Sequence, residues 1–132
     1  MVVEQHRLFD DIFNILITEQ SLLGSIHDII NKKNLYLFVD YNNYLKGFMI
    51  IEIHKSIIFL HKLYIMPKCR GKGYANNYLS YLDILSEGEK KIVLDVYTEN
   101  TKAINLYTSN GYSLVSKLYD TYLKKNYYIM KK

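Results

Sequence analysis

Between residues 57 and 97 the chain runs through a strand-sized apolar segment, a basic glycine loop, a helical pattern and a second strand-sized segment, and few folds accept that order. Residues 57–66 read as a strand. Ala75, Tyr78, Leu79, Leu82 and Leu85 then recur at helical spacing and stop by Gly88, and residues 92–97 form a short buried strand. A strand, a helix and a strand in one sheet imply a right-handed crossover and a parallel pair. The loop between them, Pro67-Lys68-Cys69-Arg70-Gly71-Lys72-Gly73-Tyr74-Ala75, has two readings. In one it cradles a phosphate: its glycines let backbone amides approach an anion, and the helix behind offers N–H groups at the positive end of its dipole. No Ser, Thr or Asp stands ready to cap that helix, so those first amides are left for a ligand. In the other reading it is an ordinary strand-to-helix turn with solvated lysines.

The rest of the chain builds outward from this unit. Leu8, Phe9, Ile12, Phe13 and Leu16, and then Leu22, Leu23, Ile26, Ile29 and Ile30, mark two amphipathic helices separated at Ser21. Asn34 opens a strand through Val39, Asp40-Tyr41-Asn42-Asn43 is turn chemistry, and residues 46–54 form the next strand. With 57–66 they make an antiparallel meander. After the crossover, Asn100 caps a helix that carries Ala103, Ile104, Leu106 and Tyr107 to a stop at Asn110-Gly111, and strands at 112–118 and 126–131 close the chain. The expected fold is α/β: one domain over 1–132, with a mixed central sheet made of the meander, a β-α-β crossover and a C-terminal hairpin, flanked by helices.

Composition narrows the function classes. Hydrophobic content of 49% and charged content of 23%, with one Pro and six Gly, suit a globular domain with no linker. Apolar runs are strand-sized and broken by charges, and Met1-Val2-Val3-Glu4 lacks a basic segment followed by an apolar one, so the expectation is no membrane contact and a cytoplasmic location. The lone Cys69 excludes an internal disulfide and fits a reducing compartment. A net charge of +4 suits an anionic ligand but is modest and scattered for a nucleic-acid binder. His6, His27, His54 and His61 show no ligand spacing, and on a strand-turn-strand path His54 and His61 are expected not to converge, so no metal site is expected. Gly71 and Gly73 lack the third glycine of a dinucleotide fingerprint, and no phosphate-loop Gly-Lys-Ser/Thr is present.

Two segments carry a family resemblance. Arg70-Gly71-Lys72-Gly73-Tyr74-Ala75, preceded by Leu63-Tyr64-Ile65-Met66-Pro67, and Leu94-Asp95-Val96 followed by Asn100, Ala103, Leu106-Tyr107 and Gly111-Tyr112 together resemble the GCN5-related N-acetyltransferases from the meander to the C-terminus. The family's first strand is shortened here to Met1-Val2-Val3 or absent. The resemblance implies acetyl-CoA as co-substrate, with its pyrophosphate on Arg70, Gly71, Lys72, Gly73, Tyr74 and Ala75. It implies that backbone amides of Leu63, Tyr64 and Ile65 hold the pantetheine and acetyl oxygen, and that Asn100 and Ala103 belong to the strand and helix holding the far end.

It also implies two catalytic groups. Tyr107, seven residues after Asn100, would protonate the departing sulfur, the alternative being a core aromatic on the face of Ala103. Asp95 matches a position at which some ribosomal-protein N-terminal acetyltransferases carry a glutamate. Aspartate is one methylene shorter, so its reach to the amine is in question, and Glu52 and His61 are the alternative bases. Tyr119, Asp120, Tyr122, Lys124, Lys125, Tyr127 and Tyr128 crowd the last hairpin, either as acceptor contacts or as an edge protected by lysines.

The implied activity is acetyl transfer from acetyl-CoA to a primary amine, more of a protein (N-terminal or lysine) than of a small molecule. No metal is involved, and the protein would act as a monomer or homodimer. The alternative is an inactive acetyl-CoA-binding or protein-interaction module of the same fold.

Overall fold

A computed structural model describes residues 34–39 and 44–132. The two amphipathic helices expected before Asn34, the shortened first strand and the turn at 40–43 lie outside these residues. The described elements are β1 (Asn34–Val39), β2 (Leu45–Ile53), β3 (Ile57–Ile65), a 3-10 turn (Pro67–Cys69), α1 (Tyr74–Ser86), β4 (Lys91–Tyr97), α2 (Thr101–Ser109), β5 (Ser113–Asp120) and β6 (Lys125–Lys131). Each agrees with the sequence pattern to within one or two residues, and the mixed α/β sheet is the one expected. Among the described residues no helix is long and apolar enough to cross a membrane.

The six strands lie in the order β1-β2-β3-β4-β6-β5. β1, β2 and β3 form the antiparallel meander, and β3 pairs parallel with β4 through the α1 crossover. The final hairpin folds back so that β6, its second strand, pairs with β4, leaving β5 at the edge. Side chains explain that choice. β6 carries Met130 into the core at 2% exposure, whereas β5 is exposed or half-buried along its whole length and carries Lys117, a charge that blunts edge pairing.

One apolar cluster holds the layers together. Ile92, Leu94 and Val96 of β4 alternate with half-buried Val93, Asp95 and Tyr97, as a strand's period of two requires. The buried set meets Leu79 and Leu82 of α1, Tyr107 of α2, and Met49, Ile51, Ile58 and Leu60 of the meander. Each fully buried aliphatic side chain contributes about 1.5–3 kcal/mol. Polar clips fix the periphery: Lys90 Nζ donates to the carbonyls of His54 (3.0 Å) and Lys55 (2.9 Å), and Asn110 Nδ2 donates to Asn76 Oδ1 at 2.8 Å, tying the end of α2 to the first turn of α1.

β3 and β4 pair only from Ile57↔Lys91 to Leu60↔Leu94. Past that point β3 continues along β2, while β4 keeps β6, its partner on the other edge from Val93↔Lys131 to Tyr97↔Tyr127. A register shift between Ile50 and Ile51 leaves His61 as an extra residue on β3, because Ile50 faces Lys62 and Ile51 faces Leu60. Such a bulge bends the strand and re-aims a side chain. The sheet therefore opens between β3 and β4.

The phenolic oxygens of Tyr78 and Tyr112 are buried with no hydrogen-bond partner among the described residues. Burial, with Asp83 and Tyr107 nearby, pushes the Tyr112 phenol well above its ordinary value. Tyr112→Phe removes a desolvated hydroxyl and keeps the edge-to-face packing on Tyr107, whose ring centroid lies 5.7 Å away. Its melting temperature at neutral pH is expected to equal or exceed that of the parent. The unfolded chain releases the phenolic proton near pH 10 while the folded chain holds it to higher pH, so stability falls as pH rises past about 10. The Phe variant should lose less there. A drop of many degrees at neutral pH would show that the hydroxyl is satisfied and needed.

Candidate active site

The opening between β3 and β4 forms a cleft of about 270 Å³ lined by Leu60, His61, Lys62, Leu63, Asp95, Val96, Tyr97, Asn100, Ala103 and Tyr107. It exists because one wall leaves on β3 and the other stays on β4 and α2. Among the residues expected from the sequence, it brings together Leu63, Asp95, Asn100, Ala103 and Tyr107. Tyr64, Ile65 and the 70–75 loop do not line it; they continue from the same strand at its loop end. Leu63, Tyr64 and Ile65 lie beyond the last β3–β4 pair, so β4 provides them no ladder partner.

α2 is set by its cap. The Asn100 side chain accepts from the Ala103 amide at 3.3 Å, which satisfies an otherwise orphaned donor and fixes where the helix begins. Two turns later Tyr107 is 9% exposed, belongs to the core cluster and still lines the cleft. The core-aromatic and site readings of Tyr107 thus hold together. Burial foremost, then the charge of Asp95 on the same wall, pushes its phenol up to about 12. It keeps its proton throughout the neutral range.

The loop departs from β3 through the 3-10 turn. Arg70 Nε donates to the Ile65 carbonyl at 2.8 Å and its guanidinium lies 5.1 Å from the centre of the Tyr64 ring, so Arg70 braces the strand end while holding positive charge there. Gly71 and Gly73 have φ of 75° and 82°, in the left-handed region that side chains resist. A Cβ at either position would meet nothing within 4 Å, so backbone conformation rather than crowding calls for glycine. Gly73 is the N-cap of α1 and no side chain caps that helix. Lys46 Nζ lies 4.6 Å from the centre of the Tyr74 ring, and Lys72 is exposed. Cys69 is half-buried on the 3-10 turn.

One expectation is corrected. His54 and His61 converge: His61 Nε2 donates to Glu52 Oε1 at 3.2 Å, and His54 Nε2 bonds Glu52 Oε2. The hairpin returns β3 beside β2, and the bulge at His61 turns its ring onto the same carboxylate. The hydrogen bond from His54, supported by that from His61, holds the Glu52 carboxyl below the usual range against a partial desolvation that raises it. Among the described residues no group of three His, Cys, Asp or Glu is arranged to hold a metal ion. Lys62 and Tyr97 join the cleft unforeseen, since their sequence neighbourhoods look like any strand. In the last hairpin Tyr119 and Tyr122 are 55% and 91% exposed, and Lys125 pairs with Glu99 at 3.1 Å and lies over the Tyr97 ring.

The fold is shared by known structures. The chain is similar to a GNAT family acetyltransferase from Elizabethkingia anophelis with acetyl-CoA bound, at a TM-score of 0.72 and 15% identity over 80% of this chain and 79% of that one. It is similar to the ribosomal-protein-S18-alanine N-acetyltransferase from Escherichia coli, at a TM-score of 0.64 and 19% identity over 76% of this chain and 68% of that one. It is also similar to the spermidine/spermine N-acetyltransferase SpeG from Vibrio cholerae, at a TM-score of 0.68 and 23% identity over 80% and 68%. At these identities the likeness is one of fold. No curated protein matches the chain. The family model described as the acetyltransferase (GNAT) family matches residues 4–112, most of the chain, and the protein belongs to that family of acetyl-CoA-dependent acetyltransferases.

Proposed function

We propose that this protein acetylates a protein amine, an α-amine ahead of a lysine, in the cleft between β3 and β4, with Tyr107 as general acid. The observation that carries this reading is the phenol of Tyr107. It is buried enough to stay protonated, yet it forms part of the cleft wall at which β3 ends its pairing. The described cleft carries one carboxylate, Asp95, against one ammonium, Lys62, a balance that suits a single amine better than a polyamine needing several negative partners. The lone Cys69 supports a cytoplasmic location. An inactive binding module is disfavoured, because such a module has no need of a protonated phenol facing the cleft.

The residues present fit the donor. The outer side of the 70–75 loop is open above Gly71 and Gly73, and the first amides of α1 lack a side-chain cap, which together suit a pyrophosphate. Arg70, Lys72, Tyr74 and Ala75 flank those amides, Leu63, Tyr64 and Ile65 would hold the pantetheine and the acetyl oxygen by backbone N–H groups, and Asn100 and Ala103 would border the far end. When bound, acetyl-CoA supplies an acetyl thioester. Tyr107 holds the proton destined for sulfur, and the charge of Asp95 helps keep it there. Asp95, on the same wall as Tyr107, is also a candidate to receive the proton of the amine.

Gly73→Asp sets a charge against the cradle while keeping a residue type that tolerates a left-handed backbone. Calorimetry is expected to show at least tenfold weaker coenzyme A binding in a protein with parental circular dichroism; unchanged affinity would remove the cradle.

Tyr107→Phe should lower kcat by about ten- to a thousandfold with the donor KM within a few fold, because the lost proton matters to the leaving thiolate more than to binding. Since the phenol titrates only at about 12, no loss of rate below about pH 10 should trace to it. A parental rate would assign the proton to water or another group.

An acceptor screen followed by mass spectrometry should find acetylated peptides. Acetylation confined to free polyamines or aminoglycosides would overturn the choice of acceptor.

A further inference from the structure

Between Glu52 and Asp83 the chain has no Asp or Glu, while Lys55, Lys62, Lys68, Arg70 and Lys72 all fall there, the last three on the glycine loop. β2 brings one more cation to the loop from outside this stretch. The Met66 amide donates to the Lys46 carbonyl at 2.8 Å and Gly47 faces Ile65, so the start of β2 lies beside the point where the chain leaves β3. Gly47 makes the close approach possible. A Cβ at that position would meet the Tyr64 carbonyl oxygen at 2.5 Å and the Tyr78 ring at 3.1 Å.

The Lys46 ammonium rests over the ring of Tyr74, 4.6 Å from its centre, and Tyr74 is the first residue of α1. The ring is fixed in a column: it lies nearly parallel to Tyr78, with centroids 6.2 Å apart, and Tyr78 stacks on Phe38 of β1 at 3.6 Å. Among the described residues no carboxylate pairs with Lys46, Lys68, Arg70 or Lys72. A cation at a helix start is repelled by the positive end of the dipole, and an anion placed between the two relieves that repulsion. An aromatic face holds an ammonium without neutralising it, so the charge stays available to such an anion.

Resting on the reading of the 70–75 loop as the donor's phosphate cradle, we infer that Lys46 binds a phosphate group of coenzyme A at the first turn of α1. The loop contributes oriented amides, and Lys46 adds a full charge carried by the sheet rather than by the loop. Coenzyme A offers two such groups, its pyrophosphate and the phosphomonoester on its ribose, which share the chemistry that a lysine recognises.

Calorimetry of the full chain with coenzyme A at low salt tests the assignment. Lys46→Gln is expected to bind about three- to thirtyfold more weakly than the parent and Lys46→Arg within a few fold of it, because only the first loses the charge-assisted hydrogen bond. The Gln deficit should shrink as salt approaches about 1 M. Lys117→Gln, on the exposed edge strand β5, should bind as the parent does. Thermal melting distinguishes a ligand contact from a structural lysine. Without ligand, Lys46→Gln should melt at or above the parental temperature, since a repelled cation is gone, while the rise produced by coenzyme A should be smaller. Dephospho-coenzyme A, which lacks the ribose phosphomonoester, locates the contact. A deficit that persists with it places Lys46 on the pyrophosphate, one that vanishes places it on the ribose phosphate, and either result supports the inference. Equal affinity of Lys46→Gln and the parent overturns it, as does an equal deficit in Lys117→Gln or a lower melting temperature with an unchanged rise on binding. A parent that does not bind coenzyme A would remove the donor reading and Lys46 with it. Parental affinity in Gly73→Asp beside a loss in Lys46→Gln would remove the cradle and leave the lysine.

Discussion

The candidate site depends on two neighbouring strands that stop being neighbours. β3 and β4 share a parallel ladder only as far as Leu60↔Leu94, while on their other edges β3 stays paired with β2 to Ile65 and β4 with β6 from Val93 to Tyr97. An unpaired strand end inside a sheet would ordinarily be costly, since buried backbone groups need partners. Here the far side of each strand is satisfied by another partner, so the cleft opens without tearing the sheet. Met130 on β6 and Met49 and Ile51 on β2 anchor the two sides into one apolar cluster, which keeps the walls at a defined separation.

The cleft gathers two kinds of titratable group on different elements. On the α2 side, Tyr107 is sunk in the core against Tyr112, where low polarity and the neighbouring Asp95 disfavour phenolate. On the β3 side, His61 hangs from a bulge in contact with Glu52, a carboxylate held ionised by two imidazoles. The glycine loop adds a different chemistry, made of backbone rather than side chains. Its left-handed Gly71 and Gly73 and the uncapped start of α1 collect N–H groups at one end of the cleft, braced by the Arg70 bond to the Ile65 carbonyl.

Much of this was legible because it is local. The alternation of Ile92, Leu94 and Val96 marks β4, the Asn100 cap names the start of α2, and the two glycines name the loop, since each depends only on residues within a few positions. Asp95 and Tyr107 became candidates through the family resemblance, at the positions its motif sets relative to Asn100. The edge position of β5 was not legible in the same way. Both strands of the last hairpin carry apolar and charged residues, and which one turns inward is decided by what β4 offers as a partner.

The sequence by itself determined the element types, the parallel crossover and the place of the glycine loop, because periodicity, capping and glycine conformation act over one or two turns of chain. Only the tertiary structure decided where β3 leaves β4, that β6 lies inside β5, and that His54 and His61 meet on Glu52. The expectation that the two histidines stay apart failed for a physical reason: it assumed an unbroken register along β2 and β3. The bulge between Ile50 and Ile51 changes that register by one residue, and in a strand one residue is enough to redirect a side chain.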